Sequence, residues 1–192
     1  MTFNTVFKML ASLALLACTV SGVSAIKPVS VLDPLKYIGR WYQMYSDALS
    51  DLIESRWCVT ADYGVYPNIT VSVLNRDRGT GPDGQENQIS GWAAFTPNQP
   101  GELTVHLGGV PVPAPYWVVD LGPLDPETGL YSYAVVTDPF EASLFVLARN
   151  VSTFYSSGLN QSLYTTLINE GFDTVLNKPV PTNQLGCTYW TS

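Results

Sequence analysis

His106 is the one histidine of this chain, and its cysteines number three: Cys18, Cys58 and Cys187. That inventory limits the chemistry on offer. A metal site made of several imidazoles is out of reach, and a hydrolytic triad would have to be built on His106 alone. Paired carboxylates act without histidine, but the acids here cluster in loop-like stretches, where solvated positions are expected. No phosphate-cradling glycine loop or dinucleotide fingerprint occurs. The sequence therefore predicts no catalytic residue, no bound metal and no cofactor.

The formal charge of the 192 residues is −7, with no basic cluster. A chain of that sign is a poor partner for nucleic acid or an anionic membrane surface. Residues 1–25 hold Lys8, the apolar run Met9 to Cys18, and then Val23-Ser24-Ala25. That order reads as a secretory signal peptide, too short and too poorly flanked for a membrane span, which leaves one domain over 26–192. A rival reading comes from Leu15-Leu16-Ala17-Cys18, similar to a bacterial lipoprotein box, through which Cys18 would carry a lipid anchor. Three N-x-[ST] sequons, at Asn68, Asn150 and Asn160, favour secretion with glycosylation instead. Without residues 1–25 two cysteines remain, and in a secreted chain they most simply form one disulfide, Cys58–Cys187. Closing a loop of about 130 residues is worth on the order of 5 kcal/mol in the chain-entropy model. Cys58 takes the outward phase of its strand, opposite to Ala61 and Tyr63.

The elements that would position any site are short β segments. Beyond Pro34, "WYQMY", "WCVTADYGVY", "ITVSVLNRD", "ISGWAAF", "ELTVHL", "PYWVVDL", "YSYAVV" and "SLFVLAR" follow one another, most bounded by Gly, Pro, Asn or Asp. Eight strands at that spacing predict an all-β antiparallel sandwich or barrel. Val59, Ala61, Tyr63 and Val65 share one face against Thr60 and Asp62. Leu103, Val105 and Leu107 oppose Thr104 and His106. One apolar and one polar face on successive strands suits a sheet curved around an apolar interior. A single helix is expected near the end, where Tyr155, Leu159, Leu163 and Leu167 recur every four residues, with Tyr164 and Ile168 beside them. Ser156 or Ser157 would cap it, and Gly171 would end it.

Eight strands, one helix and a cysteine-bearing tail, opening on the G-x-W of "YIGRWYQMY", resemble a lipocalin. Gly39 and Trp41 match the first family motif and Arg149 of "LFVLARN" the arginine motif, while "LGPLDPETGLYSY" departs from the family's T-D-x-x-Y. Within the family, "WCVTADY", "YSYAVV" and "FVLARN" look most like the branch of apolipoprotein D and the bacterial outer-membrane lipocalins. The resemblance implies an eight-stranded antiparallel up-and-down barrel with one helix packed outside. It also implies that Trp41 caps the closed floor with Arg149 stacked on its indole, a contact of up to about 2 kcal/mol when desolvated. Gly39 would let the backbone turn into the first strand.

Counting in twos from Trp41 and Arg149 places Gln43 and Tyr45 inside on the first strand, and Ser143, Phe145 and Leu147 on the last. The same alternation puts Ala61, Tyr63, Val71, Val73, Ala93, Phe95, Val105, Tyr116, Val118, Tyr133 and Val135 within. These are the candidate ligand-binding residues, and a barrel of this size holds one small molecule. The expected function is binding and transport of a small hydrophobic ligand: a lipid, sterol, isoprenoid or pigment. An extracellular interaction or defence protein working through its mouth loops, and a lipid-modifying enzyme of the same fold, are the alternatives. The loops at the mouth should carry Asp47, Asp51, Glu54, Asp77, Asp83, Glu86, Asp138 and Glu141 against Arg56, Arg76 and Arg78, a net negative rim. Arg56 and Arg76 are the two residues whose turning inward would offset it.

Overall fold

The computed structural model describes residues 26–53, 56–67 and 70–190. Residues 1–25, Glu54 and Asn68 lie outside them, so the expectations attached to the leader, to that rim acid and to that sequon stay with the sequence. The chain enters through the short helix α1 (Pro34–Tyr37), whose first turn is capped by Asp33 accepting from the Leu35 N–H at 3.0 Å. Eight strands follow: β1 (Gly39–Asp47), β2 (Trp57–Val65), β3 (Val71–Arg78), β4 (Glu86–Thr96), β5 (Gln99–Leu107), β6 (Ala114–Leu121), β7 (Tyr133–Thr137) and β8 (Leu144–Ala148). Helix α2 (Ala48–Ile53) separates β1 from β2.

Each strand pairs antiparallel with its successor, and β1 pairs with both β8 and β2, which closes the sheet into a barrel. Closure removes the open edges on which strands of different molecules would otherwise pair. A ninth strand, β9 (Pro179–Pro181), adds to β1 at Tyr45–Asp47.

The core splits into two parts. Trp41, Val73, Ala93, Val105, Val118 and Leu147 belong to the cluster inside the barrel. Met44, Tyr45, Val135, Val146, Phe154, Leu163 and Leu167 form a second cluster, between the outer sheet surface and the helices. The single expected helix is in fact two, α3 (Val151–Ser156) and α4 (Leu159–Asn169). Gly158, at φ +78°, breaks the run. The first cap is neither Ser156 nor Ser157 but Asn150, whose side chain accepts from the Thr153 N–H at 2.9 Å. Gly171, at φ +99°, follows the end of α4 as expected. Tyr155 is exposed, and Phe154 is buried in its place against Tyr45, ring centroids 5.9 Å apart.

Two local irregularities decide which side chains enter the barrel. β1 bulges between Gln43 and Tyr45, so the alternation that carries Trp41 and Gln43 inward ends there. Tyr45 therefore lies outside, against Phe154 and Tyr164. In β7, Ala134 pairs with Leu147 and Val136 with Phe145, and opposed residues share a face. Ala134 and Val136 thus point inward, while Tyr133 and Val135 point outward. "YAVVT" has no polar residue before its last position to mark a face, so only the pairing with β8 sets its phase.

Cys58 and Cys187 form the expected disulfide, with Cα atoms 5.5 Å apart. The tail is further tied by Gln184, which donates from Nε2 to the carbonyls of Gln43 and Val59 at 2.8 and 2.9 Å. Replacing Cys58 and Cys187 by serine is expected to lower the unfolding free energy by about 2–5 kcal/mol in urea denaturation. Trp41→Ala, which empties a fully buried site, is expected to cost about 3–5 kcal/mol in the same assay.

Candidate ligand cavity

The barrel encloses a cavity of about 590 Å³ that opens at one end, within the usual range for small-molecule sites. Its middle is apolar, walled by Ala61, Val71, Val73, Ala93, Leu103, Val105, Phe145 and Leu147. These eight come from five strands, and cross-strand pairing brings several together: Val71 pairs with Ala93, Ala93 with Val105, and Leu103 with Tyr116.

The floor residue Tyr37 packs on the fully buried Trp41, ring centroids 5.2 Å apart, and the Trp41 indole N–H donates to the Tyr37 carbonyl at 2.8 Å. The Arg149 guanidinium stacks 3.5 Å from the centroid of that indole. Arg149 also donates to the carbonyls of Tyr131, Arg40 and Lys36 at 3.1, 2.7 and 3.4 Å. Burial lowers its pKa to about 10, which leaves it charged at neutral pH. Gly39 sits at φ +89°, a left-handed backbone conformation that favours glycine, while a Cβ there would only touch the Arg149 Nη1 at 3.4 Å.

Three phenols stand above this floor. The Tyr116 hydroxyl lies 2.8 Å from that of Tyr37 and 3.2 Å from that of Tyr63. Burial pushes the Tyr63 phenol up to about 12 and holds Tyr37 and Tyr116 well above the ordinary tyrosine value.

The sequence carries the same message as this geometry. A family model described as a lipocalin-like domain matches residues 32–181. The chain belongs to the lipocalin family. It is similar to rat (Rattus norvegicus) apolipoprotein D, 34% identical over 54% of this chain and half of the rat protein's length. The outer membrane lipoprotein Blc of Vibrio cholerae is 30% identical over 88% of this chain and 93% of that protein. Both place this lipocalin in their branch. Among solved structures, the amine-binding protein of Rhodnius prolixus, in its tryptamine complex, superposes with a TM-score of 0.54 at 17% identity, over 88% of this chain and 91% of that one. No helix among the described residues is long and apolar enough to cross a membrane.

Of the residues expected to face a ligand, the lipocalin brings Gln43, Ala61, Tyr63, Val71, Val73, Ala93, Val105, Tyr116, Phe145 and Leu147 to the cavity wall, with Ser143 at its upper edge. Phe95 and Val118 belong to the inner cluster but not to the wall. Tyr45, Tyr133 and Val135 are corrections, since all three pack outside. The Tyr133 hydroxyl donates to Asp120 Oδ2 at 3.0 Å.

Strand alternation missed other wall residues. Tyr37 precedes the first strand, and Leu49, Leu176 and Asn177 belong to segments folded over the mouth, where the Leu49 N–H donates to the Leu176 carbonyl at 2.8 Å. Thr60 also borders the cavity, although its pairing with Tyr42 and Arg76 sets it on the face of β2 opposite to Ala61. The Thr60 hydroxyl and the Asn75 side-chain oxygen are buried there without a hydrogen-bond partner among the described residues.

The rim is less acidic than the sequence implies. Asp47 is fully buried and accepts from Ser50 and from the Leu144 N–H. Asp138 accepts from the N–H groups of Phe140, Ala142 and Ser143, and Asp77 from Asn87. These three acids hold loops and strands together. Arg56 does line the cavity, paired with Asp77 at 4.0 Å, whereas Arg76 pairs with Asp62 at 3.3 Å and lies over Trp190. Leu49, Val112, Phe140 and Leu176 edge the opening with apolar surface.

The buried phenols give a pH signature. A group whose pKa is higher folded than unfolded loses its stabilising share as pH rises between the two values. Urea-denaturation stability should therefore be insensitive to these groups below pH 10 and fall as pH rises from 10 through about 12, by about 1.4 kcal/mol per unit for each tyrosine involved.

Proposed function

We propose that this lipocalin is a secreted carrier of one small hydrophobic molecule held inside the barrel. The observation that carries the reading is the cavity: about 590 Å³, walled mainly by apolar side chains, with Tyr37, Tyr63 and Tyr116 also in its lining. Burying an apolar ligand there removes most of its surface from water at roughly 25 cal/mol per Å². The similarity to apolipoprotein D supports a lipid-like ligand. The candidate contacts are the wall residues, from Gln43 and Ala61 to Phe145 and Leu147. We assign residues 1–25 to a signal peptide and Asn68, Asn150 and Asn160 to N-glycosylation. Asn150 is exposed, and its cap uses only the side-chain oxygen, leaving the amide nitrogen available.

Native mass spectrometry of the protein from its source should show an added mass that an organic solvent extracts. Its N-terminal sequence should begin at Ile26. Ala93→Trp places an indole in the middle of the cavity and is expected to weaken binding of N-phenyl-1-naphthylamine by about tenfold or more, with a stability cost of about 1–3 kcal/mol from overpacking. Unchanged probe binding in that variant would place the probe outside the barrel and overturn the reading.

A further inference from the structure

The tyrosine cluster at the cavity floor has a proton to spare. Tyr37, Tyr63 and Tyr116 each carry one hydroxyl proton, and the contacts Tyr37–Tyr116 and Tyr116–Tyr63 use two of the three. However the chain of hydroxyls is oriented, one O–H is left pointing elsewhere. None of the three hydroxyls has another hydrogen-bond partner among the described residues. All three line the cavity, so the spare donor faces the space a ligand would fill. A donor facing an apolar cavity without a protein acceptor is free to meet a ligand oxygen.

We infer that this triad is a recognition site for a neutral carbonyl oxygen, of a ketone, aldehyde or ester, so that the ligand enters with its polar end towards the floor. The inference rests on the reading of the barrel as a hydrophobic ligand site and adds the chemistry of its deep end. The phenols stay protonated far above neutral pH, since burial raises all three, so they act as donors throughout the physiological range. Arg149 is committed to Trp41 and three backbone carbonyls beneath them. A carboxylate at this depth would bring a full charge into an apolar cavity with one spare donor to receive it, which is strongly unfavourable. A hydrocarbon would leave the donor unmet. A neutral carbonyl is the group that satisfies the site without importing charge.

The test uses three matched fluorescent probes, the 2-acetyl, 2-ethyl and 2-carboxylate derivatives of anthracene, titrated into the mature protein at pH 8. The acetyl probe is expected to bind more tightly than the carboxylate. In the triple variant Tyr37→Phe, Tyr63→Phe, Tyr116→Phe the ratio of acetyl to ethyl affinity should fall about tenfold, the worth of one net hydrogen bond. Should that variant fail to fold, the wild type still decides. The carbonyl stretch of bound carbon-13-labelled acetylanthracene should lie below its value in hexane. A hexane-like stretch, an unchanged affinity ratio, or a carboxylate bound as tightly as the ketone would each overturn the inference while ethylanthracene binding left the barrel reading intact. Failure of the ethyl and acetyl probes alike to bind the wild type would overturn both.

Discussion

The Arg149 guanidinium stacked 3.5 Å from the Trp41 ring centroid holds together parts of the chain that have no other reason to meet. Through its N–H groups it reaches the carbonyls of Lys36 and Arg40 on either side of Gly39, and of Tyr131 just ahead of β7. A planar cation with five donors in fixed directions suits this task, because it satisfies several buried carbonyls while covering an aromatic face. The interaction closes the barrel at the end where β1 begins. It also fixes the starting phase of β1, and from that phase follows the inward set on the strands paired with it.

A closed floor makes the rest of the interior a cup. Small and branched side chains such as Ala61, Val73, Ala93 and Val105 leave its middle unfilled, where bulkier residues would pack the barrel solid. The floor carries polar groups that face upward, the three phenols. The upper wall carries others, Thr60, Asn75 and Arg56. The interior thus has a dry band between two polar levels, and a bound molecule must match that order along its length.

Above the cup, buried acids do structural work. Asp47 joins the end of β1 to the start of β8 and to α2 through one carboxylate, and burial raises its pKa in consequence. Asp138 folds the turn before β8 around itself. These carboxylates order the mouth, and Asp138 and Glu141 still line the opening beside Arg56.

The sequence by itself determined the class of the protein. The strand count and spacing, the alternation in β2, β3 and β5 and the cysteine pair were legible because each rests on local chemistry or on few possible partners, while Gly39, Trp41 and Arg149 were legible as motifs of the family the chain resembles. Ten of the wall residues followed from alternation where polar residues marked the outer face. What only the tertiary structure decided was phase and approach. A bulge in β1 turned Tyr45 outward, and β7, apolar on both faces, took its phase from β8, leaving Tyr133 and Val135 outside. Gly158 split the helix. Tyr37, Leu49, Arg56 and Leu176 reached the cavity from segments outside the periodic strands. A two-residue period describes one strand's faces but holds no information about which neighbour it meets or where an extra residue intrudes. Those choices are made by hydrogen bonding between strands distant in the chain, and so they appear only once the barrel has closed.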